Sequence, residues 1–306
     1  MFQFIVRRLL QMIVVLFGVT ILVFSLMHIT PGDPARIIAG EGAPEHTIEN
    51  IREKLGLNEP YHVQYFTFLS NILKGDLGNS IRNNIPVIEE IQTRFWTTVE
   101  LATYSVMLAV FLGLLAGVIA AVRQYSWIDS GLMVLILFGL SMPNFWLGLM
   151  LIKYFAIEIP IFDPSGWGTW QQNVLPVVTL GTGGAAIIAR MTRSSMLDVI
   201  NQDYIRTARA KGVKERIVIY KHALKNALIP VVTVAGLEFG GFLGGAVLTE
   251  TVFAVNGMGR LVINAIGSRD FPVVQGAVLV LATLFVIVNT LVDISYRYLN
   301  KRIDLE

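Results

Sequence analysis

Residues 9–29, LLQMIVVLFGVTILVFSLMHI, form a run of 21 residues without a single Asp, Glu, Lys or Arg. A helix needs about 20 such residues to cross the hydrocarbon of a bilayer. Arg7 and Arg8 precede the run as they would in a secretory signal. The run is long enough to span, however, so it reads as a retained first helix and not as a cleaved leader. Composition agrees with that reading. Only 15% of the 306 residues are charged and 54% are hydrophobic, where a soluble domain carries about 25% charged residues. The charge is also unevenly spread, with long uncharged stretches alternating with charge-rich ones, as expected when lipid is the solvent. Cysteine is absent, which excludes disulfides, thiolate metal sites and cysteine nucleophiles.

Five further apolar runs follow, over Thr97–Val122, Gly131–Ile157, Val174–Ala189, Ala227–Leu248 and Val273–Leu291. The fourth is short and interrupted by Pro176, Gly181, Gly183 and Gly184, which makes it the weakest of the set. The expectation is an all-α, polytopic membrane protein with about six transmembrane helices. Residues 1–30 would supply an N-terminal transmembrane helix, 31–96 an extracytoplasmic insert, and 97–306 a five-helix core with a cytoplasmic loop at 190–225. Within the insert, Asn58-Glu59-Pro60 and Lys74-Gly75-Asp76 read as turns between short amphipathic stretches.

Lys and Arg set the orientation. With the N-terminus inside, fifteen basic residues fall in cytoplasmic segments: Arg7, Arg8, Arg123, nine between Arg190 and Lys225, and Arg297, Lys301 and Arg302. The two short outer loops hold only Arg260 and Arg269. Both termini are therefore expected on the cytoplasmic side. Phe95, Trp96, Trp167 and Trp170 would mark the outer interface, and Tyr125 and Trp127 the inner one. Small residues recur every fourth position at Ala109, Gly113, Gly117 and Ala121, and again at Gly236, Gly240 and Gly244. Such faces let helices approach closely in lipid, either within this chain or against a partner subunit.

Residues that carry chemistry are mostly missing. No GxxxxGK[ST] phosphate loop occurs, no HExxH, and no GxSxG; the four histidines lack metal-ligand spacing. No catalytic residue, metal site or nucleic-acid surface is expected. Ionisable groups within spans are costly and so carry functional weight. Glu100 and Asp293 lie near span ends, and Lys153 and Glu158 are spaced to pair. Glu238 lies mid-span between Gly236 and Gly240, and two readings fit it equally: an interhelical hydrogen bond, or a polar group lining a pathway.

In the loop at 190–225, Asn201 and Asp203 are expected to cap a short helix, Tyr204-Ile205-Arg206-Thr207-Ala208-Arg209-Ala210-Lys211, which Gly212 stops in a left-handed conformation. Its small and basic residues suit docking into a groove of another protein; the alternative is a basic helix lying on anionic membrane lipid.

The segment Asp203–Pro230, DYIRTARAKGVKERIVIYKHALKNALIP, resembles the ATPase-coupling loop of bacterial binding-protein-dependent ABC importer permeases, specifically the dipeptide, oligopeptide, nickel and glutathione group. The superfamily writes this loop E-A-A-x-x-x-G, then, after nine residues, I-x-L-P. With its glycine on Gly212, Ala208, Gly212 and Leu224 match, while the R-T-A-R-A-K-G and H-A-L-x-N-A-L-I-P strings match the narrower group more fully. Further matches are Pro31-Gly32-Asp33-Pro34, Lys74–Ser80, Glu250-Thr251-Val252-Phe253, Gly257-Met258-Gly259 and Arg269-Asp270-Phe271-Pro272, with Asn256 standing where the resemblance expects proline.

The resemblance implies a type I ABC importer permease that pairs with a paralogous permease subunit above two ATPases and receives peptide from an extracytoplasmic solute-binding protein. It implies that ATP and Mg are used by the partners and that no cofactor is bound here. It also implies coupling through Tyr204 to Gly212. A nickel chelate or glutathione is the alternative cargo. The rivals from other classes are a six-helix channel or scaffold subunit without ATP coupling, and a membrane hydrolase.

Overall fold

A computed structural model describes residues 2–29, 32–40 and 42–299. Pro31, Lys301 and Arg302 lie outside the described residues. Among the described residues the chain is helical, with an isolated bridge between Asn79 and Pro86. It divides into two compact units, one of residues 1–98 and 256–286, the other of 99–255 and 287–306. Among the described residues, five continuous helices are long and apolar enough to cross a membrane, and a sixth candidate is broken.

The first unit holds α1 (Phe2–Ile29), α2 (Pro34–Ala39), α3 (Glu45–Lys54), α4 (Tyr61–Leu73), the start of α5 (Val87–Val122), α13 (Met258–Gly267) and the start of α14 (Phe271–Leu299). Most apolar side chains of α1 face outward; Val14 is 69% exposed and Ile13 59%. That exposure would be untenable in water and is ordinary in lipid. On its other face, Thr20 and Tyr65 share a hydroxyl–hydroxyl hydrogen bond of 2.8 Å, and Phe24 packs edge-on to Tyr65, so α4 lies along α1. Asp33 accepts the Ala35 amide at the start of α2 and an Arg52 guanidinium hydrogen from α3. Burial pushes this carboxyl up, but the hydrogen bonds from Arg52 and Ala35 and the charges of Arg52 and Arg36 outweigh it and hold the group below its usual range. Val87 and Ile91 of α5 meet Met258 and Leu261 of α13 and Val273 and Ala277 of α14 in one apolar core. Above it, Asp270 accepts the Ser80 hydroxyl at 2.5 Å and the Ile81 amide at 3.1 Å, tying the Lys74–Ser80 string to the Arg269–Pro272 string.

The second unit is built around α8 (Trp170–Ile200), with the rest of α5, α6 (Trp127–Ser141), α7 (Asn144–Ile152), α9 (Asp203–Ala210), α10 (Glu215–Ile217), α11 (Leu224–Gly245), α12 (Val247–Val252) and the end of α14. One-turn π-helices at Lys153–Glu158 and Val218–Ala223 extend α7 and join α10 to α11.

Two expectations about the spans are corrected. The third is not one helix over Gly131–Ile157 but two, α6 and α7 with its π-turn, bent by 98°. The cause is Pro143, which lacks an amide hydrogen and drives Met142 into extended backbone, ending α6. The fourth span is not short; α8 runs unbroken for 31 residues past Pro176 and the glycines, opened by a capping box between Thr169 and Gln172.

Those glycines are contact points. A Cβ on Gly181 would stand 2.9 Å from the Ser105 carbonyl oxygen of α5, and one on Gly184 would stand 2.7 Å from Phe242 Cζ of α11. The reverse side of the α5 contact is as tight: a Cβ on Gly113 would lie 2.6 Å from Ile188 Cγ2. The Ala109–Ala121 face therefore packs on α8 within this chain. Gly236 is also spent internally, against Val292 of α14, whereas Gly244 meets nothing within 4 Å.

Candidate functional site

Two regions of the second unit hold the residues singled out from the sequence. The first is the loop that follows α8. Ile205 of α9 is fully buried and joins Met196 of α8, Val218, Ile219, Ala223 and Ala227, and Val118 and Ala121 of α5 in an apolar cluster. One inward anchor holds a short amphipathic helix against the end of the bundle. Polar contacts fix its rotation. Arg209 donates from Nε and Nη2 to the two Glu215 oxygens at 3.2 and 2.8 Å, and Asn226 Nδ2 donates to the Tyr204 hydroxyl at 2.9 Å.

Gly212 has φ +76°, the left-handed stop read from the sequence. Its amide donates to the Arg209 carbonyl at 2.9 Å, and the Val213 amide to that of Ala208 at 3.2 Å. The N-terminal cap differs from expectation. Asn201 ends α8, the cap position is Gln202, whose side chain donates back to the Asp198 carbonyl and does not cap α9, and Asp203 is the first helical residue.

The helix thus has two faces. Tyr204, Arg206, Thr207, Ala210 and Lys211 are exposed, and Arg206 reaches the exposed Asp203 at 3.4 Å. Ala208 is partly buried against the loop's own apolar cluster. Arg209 is folded back onto Glu215. Arg206 and Lys211 carry charge outward, while the charge of the exposed Arg209 is offset by Glu215.

A contact that sequence reasoning missed steadies the same end of the bundle. Arg193 of α8 donates from Nε and Nη2 to both Asp129 oxygens at 2.7 Å each, and the Tyr125 amide donates to Asp129 Oδ2 at 3.0 Å. Asp129 is 4% exposed. A planar, bidentate pair of this kind fixes orientation as well as charge, so it locks the start of α6 to α8 near the loop. No local signal reveals it, because the partners lie 64 residues apart.

The second region surrounds Glu238. This residue is partly buried on α11, and its Oε2 lies 3.3 Å from where a Cβ on Gly184 would stand. Ala109 of α5 and Phe242 meet the same point, so the carboxylate faces the place where α5, α8 and α11 converge. Among the described residues it makes no hydrogen bond or ion pair within the chain. Of the other span acids, Glu100 accepts the Trp167 indole hydrogen at 3.0 Å, and Glu158 pairs with Lys153 at 3.8 Å.

Comparison with known proteins meets this geometry from outside. The family described as "Binding-protein-dependent transport system inner membrane component" matches residues 113–305, and the N-terminal family of the same membrane components matches residues 1–102. The chain belongs to this family.

A dipeptide transport system permease protein of Alkalihalophilus pseudofirmus is 46% identical, over 99% of both chains. A glutathione transport system permease protein of Escherichia coli K12 is 44% identical, also over 99% of both. Among solved structures, the inward-facing MetNI methionine ABC transporter aligns with a TM-score of 0.59 at 21% identity, covering 70% of this chain and 97% of that one. An amino acid ABC transporter aligns at 0.56 and 15% identity, covering 76% and 98%. At those identities the likeness establishes the fold, that of an ABC importer permease. The chain is thus a multi-pass inner-membrane component of a binding-protein-dependent transport system.

Proposed function

We propose that this permease imports di- and oligopeptides into the bacterial cytoplasm, together with a paralogous permease subunit, two ATPases and an extracytoplasmic solute-binding protein. The nucleotide and its Mg belong to the ATPases, and this chain supplies half of the pathway with no catalytic residue of its own. Residues 1–30 serve as the first transmembrane helix, 31–96 as an extracytoplasmic insert, and 97–306 as the core, with both termini and the loop at 190–225 in the cytoplasm. The positive-inside asymmetry supports that orientation.

The observation that carries the reading is the construction of α9. An exposed face of Tyr204, Arg206, Thr207, Ala210 and Lys211 is presented on a helix whose inner face is pinned by Ile205 and Ala208, with the exposed Arg209 paired to Glu215. Movement imposed on such a rigidly seated helix passes into α8, α11 and the end of α5 and not into the loop. ATP-driven closure of the ATPases would switch the pathway between inward- and outward-facing states by this route. Docking on lipid would leave the same face exposed but would require no fixed exit angle at Gly212.

Peptide is preferred over glutathione as cargo because the dipeptide permease is similar over the full chain at 46% identity. The decisive assay is uptake into proteoliposomes that contain the whole importer and its binding protein. Labelled dipeptide should accumulate only with ATP inside the ATPase-facing compartment. Accumulation of glutathione with none of dipeptide would reverse the cargo assignment, and nucleotide-independent flux would support a channel.

A further inference from the structure

We propose that Glu238 and Asn144 form a cargo-binding site at mid-span, in which the Glu238 carboxylate takes the N-terminal ammonium of the peptide. This rests on the peptide-importer reading and gives it a site. The two side chains come from different spans and approach α8 at consecutive residues, Gly183 and Gly184. Asn144 Oδ1 lies 3.4 Å from where a Cβ on Gly183 would stand, and Glu238 Oε2 lies 3.3 Å from the corresponding point on Gly184. Both glycines fall near the middle of the 31-residue α8, so both polar groups sit at bilayer depth. Any side chain on Gly184 would strike Phe242 Cζ at 2.7 Å and crowd the carboxylate, so glycine keeps that approach open.

Neither side chain is spent on the fold. Among the described residues, Glu238 and Asn144 make no side-chain hydrogen bond or ion pair, and both are only partly buried. By contrast, Glu100, Glu158, Asp129 and Asp270 each have partners within this chain. An intramembrane acid without a partner is expensive, and such acids face a bundle interior or a water-filled cavity. Asn144 reaches this depth only because Pro143 ends α6 and the span turns by 98°. Interrupted helices at membrane depth are tolerated where they are buried in protein or line a cavity. A carboxylate is the complement of an ammonium, and the Asn144 amide adds both a donor and an acceptor for the peptide group beside it. The ligand class is therefore a small peptide with a free N-terminus.

The test uses the complete importer in proteoliposomes. Glu238→Gln should lower dipeptide uptake at least tenfold with the assembly yield of all subunits unchanged, whereas Glu238→Asp should retain most of it. The natural chain has no cysteine, so Glu238→Cys introduces the sole thiol of this subunit. It should react with a membrane-impermeant methanethiosulfonate reagent, more slowly when dipeptide-loaded binding protein and ATP are supplied. An ethylsulfonate adduct should restore uptake in part, and a trimethylammonium adduct should not. Wild-type uptake by Glu238→Gln overturns the site while leaving the importer reading intact. An uptake loss matched by loss of assembled complex overturns it too, assigning Glu238 to a hydrogen bond with the partner permease. Failure of the wild-type importer to move any dipeptide sinks the underlying reading, and the site with it.

Discussion

Gly212→Val lowers ATP-driven uptake sharply while leaving the subunit inserted in the membrane. At φ +76° this residue holds the chain in the left-handed region, and a Cβ there would meet no atom within 4 Å. The substitution therefore creates no collision, only backbone strain. For a β-branched residue that strain is on the order of 1–3 kcal/mol, which reduces the native exit angle roughly 5- to 150-fold in population. The apolar cluster around Ile205 persists, so the loop stays folded against the bundle but leaves α9 at another angle. Gly212→Asn is the control, because asparagine tolerates the left-handed region and should keep most of the uptake. Uptake assays with membrane levels checked by blotting read both. Equal uptake by the valine variant and the natural chain would remove Gly212 from the coupling route. Ala208→Asp is the weaker probe, since Ala208 is partly buried in the loop's own cluster and the change would damage packing before docking.

Gly117→Val removes the folded subunit from the membrane altogether. A Cβ at this position would lie 2.5 Å from Thr192 Cβ and 2.6 Å from the Ala189 carbonyl oxygen. The second of these is backbone of a continuous helix and cannot rotate away. Helices α5 and α8 would have to separate along their length, losing the dispersion contacts that drive association in lipid. Overpacking of this kind costs about 1–3 kcal/mol and more where neighbours cannot yield. Gly131→Ala supplies the contrast, because nothing lies within 4 Å of that site and the change should be silent. Detergent-solubilised yield and size-exclusion profile distinguish the two outcomes. A monodisperse, full-yield Gly117→Val subunit would contradict the α5–α8 packing.

The parts of this fold that could be read from sequence were those fixed by local physics. The uncharged run at Leu9–Ile29 and the basic clustering at 190–225 each decide a question without reference to distant residues. Gly212 was legible for the same reason, since a glycine after an alanine- and arginine-rich helix is a stop in its own right. What failed depended on pairing across the bundle. Gly181 and Gly184 look like interruptions until Ser105 and Phe242 are seen against them. The break at Pro143 was hidden within an otherwise continuous apolar run, although the Ser141-Met142-Pro143-Asn144 string carried the signal. Ala208 of the candidate site packs into the apolar cluster and Arg209 folds back onto Glu215, and spacing on α9 alone could not reveal either partner.

The central claim, that α9 is seated on an ATPase in the cytoplasm, is tested most directly by site-specific crosslinking from single cysteines in this cysteine-free chain. Ala210→Cys lies on the exposed face of α9, and Gly42→Cys lies in the segment proposed to be extracytoplasmic. A short bismaleimide, with one cysteine introduced at a time into the ATPase groove, should join Ala210→Cys to that subunit and change in yield when ATP is trapped. In intact cells an impermeant maleimide should label Gly42→Cys and spare Ala210→Cys. Labelling of Ala210→Cys from outside, or no ATPase crosslink from any groove position in an importer that still takes up peptide, would contradict the account.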